Sequence, residues 1–198
     1  MPLRVVLATH NQHKAAEFQG ILGARIPDLV IEPYEGPEPV EDGITFAENA
    51  LIKARAAVAF TRLPAIADDS GICVDVLGGA PGIFSARWSG VHGDAAANNR
   101  LLLDQLADVP DPHRGAHFRA TMALVLPSGE EHIVDGIWPG RLLRAPRGAN
   151  GHGYDPVFLP DGCAESAAEL APEDKNTLSH RARAFAALEP LLRDLVHA

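Results

Sequence analysis

Leu3-Arg4-Val5-Val6-Leu7-Ala8 is an apolar, β-branched run of strand length, and it stops abruptly at the polar stretch Thr9-His10-Asn11-Gln12-His13-Lys14. From Lys14 the apolar residues Ala15, Phe18, Ile21 and Leu22 return at helical spacing, and Gly23 closes the helix they predict. The polar stretch therefore falls between a strand end and a helix start. Free backbone N–H groups and the positive end of the helix dipole favour an anion at such a junction. This opening commits the chain to helices packed on a sheet, and the rest of the sequence agrees.

Glu32 to Gly43, rich in Pro, Gly and acids, reads as a loop; Thr45-Phe46-Ala47-Glu48 then reads as a capping box opening a helix to about Phe60. Ala65-Ile66-Ala67, the pair Asp68-Asp69, Ser70-Gly71 and the run from Ile72 to Leu77 predict a strand, a sharp Gly turn and a second strand. Gly78 to Gly82 is a loop leading to Ser85-Ala86-Arg87, and Asp94 is the predicted N-cap of a helix from Ala95 to about Leu106. His117–Leu126 and His132–Trp138 predict a hairpin about Pro127-Ser128-Gly129, ended by Pro139-Gly140. After a second Gly-rich loop, Gly148 to Pro156, comes a short strand, Pro156 to Pro160. A final helix starting near Leu178 carries Phe185, Leu188, Leu191, Leu192 and Leu195, with Pro190 expected to kink it. The expected fold is α/β, one mixed sheet flanked by helices, with residues 1–198 forming a single domain.

Composition narrows the function. Of the 198 residues 46% are hydrophobic and 22% charged, a globular balance. The net charge of -9 argues against broad electrostatic binding to nucleic acid or an anionic membrane, while leaving room for a small anionic substrate where basic residues converge. No apolar run approaches the roughly 20 residues that span a bilayer, and the start reads as a strand rather than an export signal. Cys73 and Cys163 form neither a disulfide ladder nor a CxxC pair, which fits a cytoplasmic chain.

The familiar phosphate, dinucleotide, serine-hydrolase and zinc-protease motifs are absent. Two signals stand in their place. Asp68-Asp69, and likewise Glu41-Asp42, read either as solvated turns or as carboxylates for a hard divalent cation shared with substrate phosphates. Lys14, Lys53, Lys175 and Arg181 sit at element junctions, where a cation near a helix N-terminus opposes the dipole unless an anion is present.

Taken in order, Ala8-Thr9-His10-Asn11 through Lys14, Thr45-Phe46 through Glu48-Asn49-Ala50, Ala67-Asp68-Asp69-Ser70-Gly71, Gly78-Gly79-Ala80-Pro81-Gly82, Ser85-Ala86-Arg87, Gly153-Tyr154-Asp155-Pro156 and Ser179-His180-Arg181 resemble the inosine triphosphate pyrophosphatase family. The likeness covers the chain from Leu3 to about Leu192. It implies two lobes around an active-site cleft and Mg²⁺-dependent cleavage of ITP, dITP or XTP to the monophosphate and pyrophosphate. It also implies a homodimer. By the resemblance, Thr9, His10, Asn11, Gln12, His13 and Lys14 cradle the phosphates. Asp69 is the catalytic carboxylate, with Glu41 and Asp68 beside it on the metal, and Lys53 neutralises phosphate charge. Ser70, His152, Gly153, Tyr154, Asp155, Lys175, His180 and Arg181 bind the nucleotide, the last two reading the 6-oxo edge of the base. One departure stands out: the family pattern carries an aromatic where this chain has His152, whose imidazole stacks more weakly and titrates. The alternatives are a pyrophosphatase of different base preference and a catalytically silent nucleotide-binding module.

Overall fold

A computed structural model describes residues 2–10, 18, 19, 22 and 25–197. Asn11, Gln12, His13 and Lys14, and most of the helix expected from Lys14, lie outside the described residues. Among the described residues six strands form one mixed sheet in the order β2-β1-β3-β4-β5-β6. In chain order the elements are β1 (Leu3–Leu7), β2 (Leu29–Pro33), α1 (Phe46–Thr61), β3 (Ala65–Val74) and α2 (Ala95–Gln105). There follow β4 (Gly115–Val125), β5 (Glu131–Leu142), β6 (Phe158–Pro160), α3 (Pro172–Leu178) and α4 (His180–His197). Among the described residues no helix is long and apolar enough to cross a membrane.

The chain groups into two compact units, the first made of residues 1–69, 120–135 and 184–198, the second of 70–119 and 136–183. In the first, β1 runs parallel to β2, Leu3 opposite Leu29, and parallel to β3, Val6 opposite Ala65. On one side Val5, Leu7, Ile66, Met122 and Leu124 pack with Phe18, Leu22, Phe185, Leu188 and Leu192. On the other, Ala50, Ala54 and Ala57 of α1 meet Val6, Ala65, Ala67 and Ala123. Alanines on both surfaces let this helix lie close to the strands, because no long side chain holds the backbones apart. The second unit has its own core of Ile72, Val74, Leu102, Leu106, Phe118, Trp138, Tyr154 and Phe158.

Three sequence expectations need correction. Ala65 to Val74 is one continuous strand, so Asp68 and Asp69 lie mid-strand rather than at a corner. Gly71 is required there for a close approach, not for a turn: a Cβ at this position would lie 2.5 Å from the Gly82 carbonyl oxygen and 3.0 Å from the Ser85 Cβ. Likewise β5 does not stop at Pro139-Gly140 but continues to Leu142, with Gly140 opposite Pro160 on β6. The Pro139 carbonyl accepts a hydrogen bond from Asp161 N at 3.0 Å, and a Cβ on Gly140 would strike the Phe158 ring at 2.7 Å. Finally, Lys175-Asn176-Thr177 belong to a short helix of their own, α3, which Ser179 separates from α4 by adopting extended backbone. α4 continues through Pro190 to His197.

The caps are as the sequence indicates, with one variation. Thr45 Oγ1 accepts from Glu48 N at 3.1 Å, while the Glu48 carboxylate reaches back one residue further, to Ile44 N at 2.7 Å. Asp94 accepts from Ala97 N at 2.9 Å at the start of α2.

Candidate active site

In the first unit the reactive groups gather around the first turns of α1. Asn49 and Lys53 are four residues apart and so share one side of the helix. Asn49 is buried, 3% exposed, and both halves of its amide are used. Its Oδ1 accepts from Gly43 N at 2.9 Å, and its Nδ2 donates to Asp69 Oδ2 at 3.1 Å. One turn on, Lys53 Nζ lies 3.2 Å from Glu41 Oε2 and 4.0 Å from Asp69 Oδ1. A single ammonium thus serves two carboxylates, one from the loop before α1 and one from β3.

Consecutive strand residues face opposite sides of a sheet, so Asp68 and Asp69 leave β3 in opposite directions. Asp68 is 4% exposed, whereas Asp69 is half-buried. Burial pushes the Asp69 carboxyl up from the usual carboxylate range; Lys53 and the Asn49 amide pull it down, and the charges of Glu41 and Asp68 push it up again. Among the described residues no group of three or more His, Cys, Asp or Glu side chains is placed to hold a metal ion. Two oxygen donors and a surplus of negative charge are nonetheless what Mg²⁺ takes from a protein when substrate phosphates supply the remainder. The residues fit that ion, on Asp69 and Glu41.

Of the predicted phosphate stretch, Thr9 and His10 are described. Thr9 N donates to Leu7 O at 2.8 Å, just past β1. His10 is engaged by the following loop: its Nε2 lies 2.8 Å from Gly36 O, and its ring stacks on Tyr34 at 5.5 Å with planes 9° apart.

The second unit carries the residues expected at the nucleotide. Asp155 is buried, and its carboxylate accepts from His152 N at 2.7 Å while forming an ion pair with Lys175. Gly151 makes this possible, since it adopts φ 77° and a Cβ there would lie 3.0 Å from Lys175 Nζ. The Tyr154 hydroxyl donates to Ser85 O at 2.8 Å, and burial pushes its ionisation upward, so it acts as a neutral strut. At the start of α4, Arg181 Nη1 lies 3.3 Å from His152 Nε2. His180, 7% exposed, stacks on Phe118 at 4.9 Å with planes 13° apart and lies near-parallel to Trp138 at 6.4 Å. Ser70 is half-buried in β3.

The structure therefore joins Asp69, Lys53 and Glu41 in one cluster, and His152, Gly153, Tyr154, Asp155, Lys175, His180 and Arg181 around one turn and two helix ends. Sequence reasoning missed Asn49 as a site residue, although its spacing to Lys53 is a legible signal. It also missed Phe118 and Trp138, which sit on the two strands of the β4–β5 hairpin and meet His180 from a segment more than 40 residues further along the chain. A cavity of about 660 Å³ in the second unit, lined in part by Leu103, Arg144 and Pro146, contains none of the predicted site residues.

Comparison with known proteins identifies the family and the fold. The sequence profile of the Ham1 family matches residues 5–191. A dITP/XTP pyrophosphatase of Leifsonia xyli is 69% identical over 193 residues, covering 98% of this chain and 97% of that protein. One from Streptomyces coelicolor is 54% identical over 197 residues, with 98% of each chain covered. Among solved structures, a HAM1 protein from Coxiella burnetii superposes with a TM-score of 0.90 at 40% identity, covering 97% of this chain and 99% of that one. A nucleoside-triphosphatase (dITP/XTP pyrophosphatase) from Mycobacterium abscessus gives a TM-score of 0.81 at 49% identity, covering 95% and 100%.

Proposed function

Since the chain belongs to the Ham1 family, we propose that it hydrolyses noncanonical purine nucleoside triphosphates such as dITP and XTP to the monophosphate and pyrophosphate. The observation that carries the reading is Asp69, held by Asn49 and facing Lys53 together with Glu41. Phosphoryl chemistry asks little covalent work of a protein; positioning and charge stabilisation supply most of the catalysis. Asp69 is the group that orients the attacking water and accepts its proton. The bond between the α-phosphorus and the bridging oxygen breaks, and pyrophosphate leaves. Lys53 offsets the negative charge on the phosphate oxygens, while Thr9 and the stretch through Lys14 bind the polyphosphate.

Asp69 and Glu41 would hold Mg²⁺, with the charge of Asp68 behind them; the chemistry it would supply there is neutralisation of phosphate charge and a more acidic water. His180 and Arg181 donate to the 6-oxo group of the base. A 6-amino group offers no acceptor to them, so adenine leaves buried donors unsatisfied. His152 takes the place of an aromatic ring on the base, and Lys175 reaches the nucleotide through the turn that Asp155 organises.

We read the protein further as a cytoplasmic homodimer. Free thiols at Cys73 and Cys163 fit a reducing compartment, and the exposed apolar side chains Val76, Phe84 and Val91 offer surface for a second copy. Light scattering on the purified chain decides the oligomeric state.

The activity is tested by pyrophosphate release from ITP, XTP, dITP, ATP and GTP, each with Mg²⁺ and with chelator. Metal-dependent release from ITP and XTP about a hundredfold above ATP supports the reading, a discrimination within reach of buried donors that must be satisfied. Even release across the purines would transfer the base preference to a wider range, with His152 the first suspect. Nucleotide binding without release would overturn the enzyme reading.

A further inference from the structure

Asn98 and Asn99, neighbours on α2, are 3% and 8% exposed, and the function above uses neither. Successive helix residues point about 100° apart, so each amide leaves the helix toward a different segment. Asn98 Oδ1 accepts from Ser89 N at 2.7 Å, and its Nδ2 lies 3.3 Å from Ala86 O and 3.4 Å from Ser85 O. Asn99 Nδ2 donates to Gly153 O at 2.9 Å. The frame is closed between the two segments by the Tyr154 hydroxyl on Ser85 O at 2.8 Å. One helix thus fixes both the Ser85–Ser89 segment and the turn that bears His152 and Asp155.

Packing does not account for Asn99. Its Oδ1 is buried and accepts no hydrogen bond from any described residue. An unsatisfied buried acceptor opposes stability, so an apolar side chain of similar size would serve a merely structural role better. What the amide alone provides is a donor for the Gly153 carbonyl. Gly153 stands at φ 62°, immediately after His152, whose N–H holds Asp155 and whose ring meets Arg181.

We propose that Asn99 is a positioning residue for base recognition: it holds the Gly153 carbonyl, and with it the turn that aims His152 and Asp155 at the nucleotide. This rests on the reading that these residues bind the base of a purine triphosphate. Asn98 does the same for the Ser85–Ser89 segment on the other side of Tyr154.

The test is Asn99→Leu, which removes the donor and the unsatisfied oxygen together, with Asn99→Asp as the isosteric variant that keeps an acceptor and loses the donor. In nucleotide-free protein, amide hydrogen exchange across residues 150–155 accelerates in both variants, while the melting temperature of Asn99→Leu is unchanged or higher. With ITP and Mg²⁺, KM rises about tenfold, as loss of one neutral hydrogen bond implies, and kcat stays within about twofold. Unchanged exchange at 150–155, or a fall in kcat at constant KM, overturns the proposal. If the wild-type protein releases no pyrophosphate from ITP, the functional reading fails instead; the exchange measurement then still decides whether Asn99 holds the turn.

Discussion

Asn49 donates from Nδ2 to Asp69 Oδ2 at 3.1 Å, across 20 residues of chain. The bond fixes one oxygen of the carboxylate and leaves the other facing Lys53, 4.0 Å away. It also favours the charged form of a group that burial pushes toward the neutral one. Asn49 therefore favours the ionised form of Asp69 against the effect of burial.

A pH effect follows. Removing the Asn49 donor in Asn49→Ala takes away a stabiliser of the Asp69 anion, so the Asp69 pKa rises and less of it is ionised at a given pH. The acidic limb of kcat/KM against pH shifts upward in the variant. Asp69→Asn, which accepts no proton, loses about a hundredfold or more of kcat, the usual contribution of a positioned base, while nucleotide binding remains measurable by calorimetry. An unshifted limb in Asn49→Ala would separate Asp69 from the rate-limiting ionisation.

Arg181→Ala tests base reading. Without the guanidinium, a 6-oxo base loses a donor and adenine loses nothing, so the ratio of kcat/KM for ITP over ATP falls about tenfold or more. Steady-state rates on the two substrates check it; an unchanged ratio places the reading elsewhere.

Gly71→Ala tests the continuous strand. The added Cβ meets a carbonyl oxygen, Gly82 O at 2.5 Å, which is backbone and does not step aside. Overpacking of this kind costs about 1–3 kcal/mol, read as a lower midpoint in denaturant. Were Gly71 merely a turn residue in open space, alanine would be tolerated.

Acid stability depends in part on Glu189. Its carboxylate is held below the usual range by Arg193 and Arg25, which lie 2.7 Å and 3.1 Å from its oxygens. A depressed folded pKa means that this stabilisation is present above the ordinary glutamate value and is lost as pH falls through the depressed one. Glu189→Gln therefore melts slightly lower than the wild type at pH 7. The two curves converge once the pH is below the depressed value, and the gap narrows at about 1 M salt, where exposed pairs are screened.

The features legible before folding are those that a few neighbouring residues encode. Thr45 with Glu48 and Asp94 with Ala97 set helix starts three residues away, and Pro127-Ser128-Gly129 sets the hairpin turn between β4 and β5. Apolar spacing placed Phe185, Leu188 and Leu192 in the core. The ordered motifs also carried the family and the residue types of the candidate site, because a charged nucleotide needs carboxylates, cations and donors of fixed kind.

How those residues are used depends on segments that meet in the folded chain. Gly71 and Gly140 read as breakers in the sequence, yet both lie inside strands, because a backbone or ring from elsewhere approaches where a side chain would stand. Lys175 reads as a solvated or phosphate-facing cation, and the fold gives it Asp155, 20 residues earlier. Asn99 reads as an ordinary helix residue until Gly153, 54 residues on, is brought to its amide. Periodicity and caps are local because helix and turn hydrogen bonds are local. Which buried donor meets which acceptor depends on chain segments that only folding brings together, and there the site acquires its geometry.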